Sequence, residues 1–108
     1  MPVSVVVPAL NEATALPETL HSLLAGSPHE LIVVDGGSTD GTADLAAATS
    51  GVVVVHAPRG RAAQMNAGAT RATGDVLLFL HADCTLDAGA VAAGVHPDRL
   101  ARFYPAVR

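Results

Sequence analysis

Leu77-Leu78-Phe79-Leu80 runs without a polar interruption into His81-Ala82-Asp83. A short apolar run that hands over abruptly to a histidine and a carboxylate reads as a strand covered on both faces, with its polar residues at the C-terminal end. The plan recurs upstream. Val3 to Val7 leads into Pro8 and Asn11-Glu12, and Leu31 to Val34 leads into Asp35. Open α/β sheets bind ligands outside the carboxyl ends of their strands. Three such runs therefore place one polar site, of the nucleotide-binding type, at a row of strand tips.

The segments between the runs have helical spacing. Strands are predicted at Val3–Val7, Glu30–Asp35, Val52–Val55 and Val76–Leu80, from short β-branched or apolar runs bounded by Gly, Pro and polar residues. Pro8 is expected to end the first strand, because proline cannot donate to a ladder. A helix capped by Asn11 is expected from near Glu12, with Leu16, Leu20, Leu23 and Leu24 on one face, Pro17 delaying its start and Gly26-Ser27-Pro28 stopping it. The turn Gly36–Gly41 launches a second helix, with Thr39 or Asp40 as cap, Asp44–Thr49 as its body, and Leu45 and Ala48 inward. A third helix is predicted over Ala62–Thr73 and a short fourth over Leu86–Ala93; after Gly94 the pattern fades. Strand and helix alternate, which implies right-handed βαβ crossovers and an α/β fold with a mostly parallel sheet.

Composition narrows the function. The chain has 108 residues and a net charge of −4, with no lysine and six arginines in no long run. That is one small domain, without the basic stripe of a nucleic-acid groove. Arg59, Arg61 and Arg71 lie close enough together for one diphosphate. No apolar run reaches the ~20 residues of a membrane span. The lone Cys84 forms no intrachain disulfide, and the start lacks a signal-peptide pattern, so a cytoplasmic location is expected.

Each candidate residue has two readings. Asp83 fits a ligand for Mg²⁺ or Mn²⁺ that also touches a diphosphate, the favoured reading because Thr85 and Asp87 are free to cap the following helix; the other is a turn or helix cap. His81 fits a group reaching the ligand or a polar end to its strand. Asp35, followed by Gly36-Gly37-Ser38, fits an acceptor for a base or ribose, or an ordinary strand-to-helix turn. Asn11 and Glu12 fit a binding loop or a helix cap. Arg61, Gln64 and Asn66 open the third helix, where an arginine and the helix N-terminus suit an anion; Gly68 in that helix signals close packing. Cys84 reads as packing. The dinucleotide G-x-G-x-x-G and P-loop signatures are absent after the first strand.

Four pieces in order carry a resemblance: Val5–Glu12, Ile32–Thr42, Arg61–Gly68 and Gly74–Asp83. Together they resemble the N-terminal, nucleotide-sugar-binding half of a family 2 glycosyltransferase of the GT-A fold, with a Rossmann-like, mostly parallel sheet. The wording of Pro58–Asn66 with Leu80–Asp83 is similar to a bacterial subgroup associated with arsenosugar biosynthesis. The resemblance implies a nucleoside diphosphate sugar donor, UDP-sugar favoured, a divalent Mn²⁺ or Mg²⁺, and an acceptor hydroxyl. It places Pro8, Asn11, Glu12 and Asp35 at the nucleoside, Arg61 near the base or diphosphate, and His81-Ala82-Asp83 at the D-x-D motif, with Asp83 as the metal ligand. Two departures stand out: Gly36 replaces the second of two adjacent acids, and His81 replaces the first acid of D-x-D.

The resemblance also implies a missing acceptor half that would supply the catalytic base. Residues 1–94 are therefore expected to form the donor-binding half and 95–108 a tail, in an apparently truncated chain whose exposed sheet edge favours self-association or a partner chain. The alternatives are a nucleotidyltransferase acting on sugar phosphates, which would want a basic glycine-rich loop after the first strand, and an inactive fragment.

Overall fold

The structure, a computed structural model, describes residues 2–82 and the strand at 101–105. Its elements run β1 (Val3–Ala9), α1 (Leu16–Ala25), β2 (Glu30–Asp35), α2 (Thr42–Ala47), β3 (Val52–His56), α3 (Arg61–Arg71), β4 (Val76–Leu80) and β5 (Ala101–Pro105). The sheet order is β3-β2-β1-β4-β5. The first four strands are parallel, and β5 pairs antiparallel with β4 from Leu80↔Ala101 to Val76↔Pro105. The expected α/β, mostly parallel architecture is present, with one strand the sequence did not announce.

The two-residue period of β1 sorts the core. Val3, Val5, Val7 and Ala9 face α1 and α2, packing with Leu16, Leu20, Leu23, Leu31, Val33, Ala46, Leu78 and Leu80. Val6 faces the other way with Ile32, Val34 and Leu77, under α3. The sheet is thus covered on both faces around β1, which explains why its strands read as unbroken valine and leucine runs.

Several boundaries differ from expectation. β1 runs through Pro8 to Ala9, with Pro8 opposite Val34. Ala9 O accepts from Gly36 N–H on the β2 side. By strand alternation the Pro8 nitrogen faces β4, beyond the last β1–β4 pair at Val6↔Phe79, so no ladder bond is lost there. α1 starts at Leu16 with Pro17 in its first turn, and Ala15 rather than Asn11 is its N-cap. Asn11 instead sits in a left-handed conformation, φ 53°. α2 is capped by Gly41 at φ 88°; Thr42 and Ala46 are its buried residues and Ala48 is exposed. β5 covers the β4 edge that was expected to lie bare. The predicted helix at Leu86–Ala93, with Asp83 and Cys84, lies outside the described residues.

Two tight contacts set the frame. At Gly68, a Cβ would overlap Val6 Cγ1 and lie 3.0 Å from Val34 Cγ2, so α3 rides directly on β1 and β2. At the N-terminal pole of the sheet, Glu30 Oε2 accepts from Ser4 Oγ at 2.6 Å, from Thr73 N–H and from Thr73 Oγ1 at 3.1 Å. Gly74 N–H in turn donates to Ser4 Oγ at 2.8 Å. Burial pushes the Glu30 carboxyl up, but the hydrogen bonds from Ser4, Thr73 and Gly74 outweigh it and hold it below its usual value.

Gly68→Ala is expected to lower stability by about 2 kcal/mol in urea denaturation, the overpacking cost of ~3 kcal/mol exceeding alanine's helix advantage of ~1 kcal/mol. A neutral result would show that α3 does not ride on β1 as described. The Glu30 contribution is fully present above its unfolded pKa, because the folded pKa is the lower of the two, and is lost as pH falls through the folded value. Urea midpoints measured from pH 6 downward are expected to fall less steeply in Glu30→Gln than in wild type; parallel curves would remove Glu30 from the acid response.

Candidate functional site

The C-terminal tips of β1, β2 and β4 and the N-terminus of α3 converge at one end of the sheet. Asp35, the last residue of β2, is 3% exposed. Its Oδ2 accepts from Gly37 N–H and Ser38 N–H at 3.0 Å each. Gly37 has φ 98°, a left-handed conformation that favours glycine and lets the turn fold back onto the carboxylate. The exposed His56, opposite Asp35 on β3, brings Nδ1 to 3.8 Å from Oδ2. Burial pushes the Asp35 carboxyl up, and the hydrogen bonds from Ser38 and Gly37 together with the His56 charge pull it below its usual value. Its other oxygen, Oδ1, is buried with no hydrogen-bond partner. A buried acceptor without a donor is costly until something supplies one.

The β1–α1 and β2–α2 loops are laced together. Three successive backbone N–H groups donate to side chains across the gap: Asn11 to Ser38 Oγ at 2.9 Å, Glu12 to Thr42 Oγ1 at 3.0 Å and Ala13 to Asp40 Oδ2 at 3.1 Å. Thr39 N–H returns a bond to Asn11 Oδ1 at 2.8 Å. Asp40 Oδ1 also accepts from Thr42 N–H at 3.0 Å and from the Thr42 hydroxyl; that hydroxyl bond leads the interactions holding the Asp40 carboxyl below its usual value. Asn11 and Glu12 therefore belong to a loop clamp, and neither caps α1. Pro8, half-buried at the tip of β1, lies at the start of that loop.

Arg61 and His81 meet although 20 residues separate them: Arg61 Nη2 lies 2.9 Å from His81 Nδ1 and 3.1 Å from Nε2. Lying almost equally far from both ring nitrogens, the guanidinium nitrogen approaches the face of the imidazole rather than one lone pair. Beyond His81, Ala82 O accepts from Thr19 Oγ1 of α1 at 2.7 Å, which ties the end of this segment to α1. Among the described residues no three His, Cys, Asp or Glu side chains gather as a metal site. His81 faces a cation, and Asp35 presents a single free oxygen. The described residues therefore do not by themselves fit a divalent ion.

The structure thus brings Pro8, Asn11, Glu12, Asp35, Arg61 and His81 to one end of the sheet, while Asp83 lies outside the described residues. Sequence reasoning missed the partners that hold them: Ser38, Asp40, Thr42, Thr19 and His56. It also placed Gln64 only at a helix start, whereas Gln64 is buried and bonded to both strands. The dense run of hydroxyl and carboxyl residues from Ser38 to Thr42 was the available signal for the clamp.

The comparisons with known proteins agree with this layout. An uncharacterized glycosyltransferase of Mycobacterium tuberculosis (strain ATCC 25618 / H37Rv) is 40% identical over 87 residues, covering 81% of this chain and 39% of its own length. The chain thus spans well under half of that relative. The mannosyltransferase PcManGT from Pyrobaculum calidifontis, solved in complex with GDP-Man and Mn²⁺, superposes with a TM-score of 0.73 at 30% identity, covering 88% of this chain and 32% of that one. S. aureus TarS 1-349 in complex with UDP gives a TM-score of 0.69 at 26% identity, covering 82% and 29%. The family model described as Glycosyl transferase family 2 matches residues 4–97, nearly all of the described sheet and its polar tips. This chain belongs to glycosyl transferase family 2 and has the mostly parallel α/β sheet of the GT-A fold.

Proposed function

We propose that this chain is the donor-binding part of a glycosyltransferase that moves a sugar from a nucleoside diphosphate sugar, UDP-sugar first, to an acceptor hydroxyl. The observation that carries the reading is Asp35: a buried carboxylate held in its charged form, with one oxygen tied to the turn and the other without a partner. Such an oxygen wants a donor. Uracil offers an N–H at the centre of its pairing edge and so does guanine, whereas cytosine and adenine offer a lone pair there. The neighbours solved with UDP and with GDP-Man support the same preference.

The remaining roles follow from position. Pro8 and the Asn11–Glu12 loop wall the nucleoside. Arg61, at the N-terminus of α3, meets the diphosphate with the helix dipole behind it. His81 orients that arginine. Asp83, two residues on, is the carboxylate proposed to touch Mn²⁺ or Mg²⁺, which when bound offsets diphosphate charge; the Mn²⁺ complex of a structural neighbour supports a divalent ion. The donor half is assigned to residues 1–94, with the strand at 101–105 closing its edge. No described residue is assigned as the base on the acceptor.

The subgroup reading, arsenosugar biosynthesis, rests on the wording of Pro58–Asn66 and Leu80–Asp83 alone, since the relative above has no assigned substrate. No described helix is long and apolar enough to cross a membrane; a cytoplasmic location is proposed on the sequence reading, as is self-association or a partner chain, which with β5 over β4 falls to the outer edges at β3 and β5. The nucleotidyltransferase alternative lacks support, as the loop after β1 offers no basic residue.

Calorimetric titration of UDP, with Mn²⁺ and with EDTA, tests the reading. Wild type is expected to bind, and no binding at millimolar ligand to folded protein would sink the proposal. Asp35→Asn keeps an oxygen for Gly37 and Ser38 but offers an NH₂ to the base, so UDP is expected to weaken roughly tenfold to a hundredfold with and without metal, while CDP gains relative to UDP. Asp83→Ala is expected to remove only the Mn²⁺-dependent increment, and His81→Ala to have a smaller effect. Equal UDP affinity in wild type and Asp83→Ala under both conditions would remove the metal assignment.

A further inference from the structure

The geometry points to Gln64 as a positioning residue that, matched with Gly36, assembles the Asp35 site from three separate elements. This inference rests on the nucleotide-donor reading for its consequence and on packing for its substance. Gln64 is 5% exposed, and every polar atom of its carboxamide is engaged. Nε2 donates to Ala9 O at the end of β1 and to Val34 O near the end of β2, both at 3.0 Å. Oε1 accepts from Gly60 N–H, the N-cap of α3, at 3.2 Å. One amide therefore ties the residue before Asp35, the end of the strand leading to the Asn11 loop, and the turn that presents Arg61.

Gly36 is the other half of the device. A Cβ built there would lie 2.8 Å from Gln64 Cδ and 2.9 Å from both Nε2 and Oε1. The amide lies flat against the Gly36 backbone, and it reaches Val34 O and Ala9 O because no side chain stands in the way. Gly36 N–H meanwhile donates to Ala9 O at 3.0 Å, so one carbonyl serves both partners. A side chain at 36 has to push the amide off its carbonyls. Released, the amide no longer fixes the strand end that aims Asp35 Oδ1. The pair also decides chemistry at the rim: while Gln64 is seated, the position beside Asp35 is closed to a second carboxylate.

The test combines a stability cycle with a binding readout. The proteins are wild type, Gly36→Ala, Gln64→Ala and the double variant, with Gln64→Met as a volume-keeping control should the alanine variant fold poorly. Gly36→Ala is expected to lower the urea midpoint clearly in wild type and by less than half as much in the Gln64→Ala background, because the clash partner is gone. The amide resonances of Gly37 and Ser38, the donors to Asp35, are expected to shift in folded Gln64→Met, and UDP is expected to weaken about tenfold, more than inorganic pyrophosphate with Mn²⁺ does. Additive stability effects would overturn the pairing. Unmoved Gly37 and Ser38 resonances with unchanged UDP affinity would overturn the positioning role. A wild type that ignores UDP, yet shows the stability coupling and the amide shifts, would support the pairing and positioning and overturn the donor reading instead.

Discussion

A parallel sheet buried on both faces leaves its backbone groups stranded at the strand ends, where the ladder stops and the helices have not yet begun. This constraint governs the molecule more than the size of its core does. At the N-terminal pole the solution is a carboxylate: Glu30 collects Ser4 and Thr73, and Ser4 in turn serves Gly74. At the C-terminal pole it is an amide: Gln64 serves Ala9, Val34 and Gly60. Both devices are side chains of modest length reaching backbone groups at the strand ends; the two carbonyls that Gln64 serves are buried, where an unmet bond costs about 1–3 kcal/mol.

The two poles differ in what is left over. At the N-terminal pole the Glu30 carboxylate collects its donors into one closed network, and the result is purely architectural. At the other end Asp35 keeps Oδ1 buried and unanswered, while its Oδ2 is met by the turn and by His56. Incomplete satisfaction at one end of an otherwise satisfied fold is what distinguishes a site from a seam. The loops around it are held by backbone donors to side-chain acceptors, from Asn11, Glu12 and Ala13 to Ser38, Thr42 and Asp40, so its walls are fixed before any ligand arrives.

Much of the fold was legible because the valine and leucine runs are dense and the glycines fall between them. β2 and β4 carry the boundaries the sequence predicts, and Gly68 packs as its place in α3 implies. The misreadings share a cause: local rules were applied where tertiary partners decide. Pro8 looked like a stop, yet its missing donor points past the last β4 pair. Asn11 looked like a cap, yet its carboxamide serves Thr39 across the loop. β5 escaped notice because its pairing with β4 is set by contact with a distant strand. Asp35, Arg61 and His81 could be named one by one, but that Arg61 and His81 touch depends on βαβ winding, and Gln64 looked like any polar residue in an alanine-rich helix.

The Gly36–Gln64 contact also bears on how sequences of this kind change over time. A side chain cannot be added at 36 while the amide of Gln64 lies against it, and shortening Gln64 first strips three backbone groups of a partner. Each single step crosses a less stable intermediate, whichever order is taken. The two positions are therefore expected to be inherited as a unit, and a chain that already holds one arrangement has a narrow route to the other, passable when stability gained elsewhere carries it across.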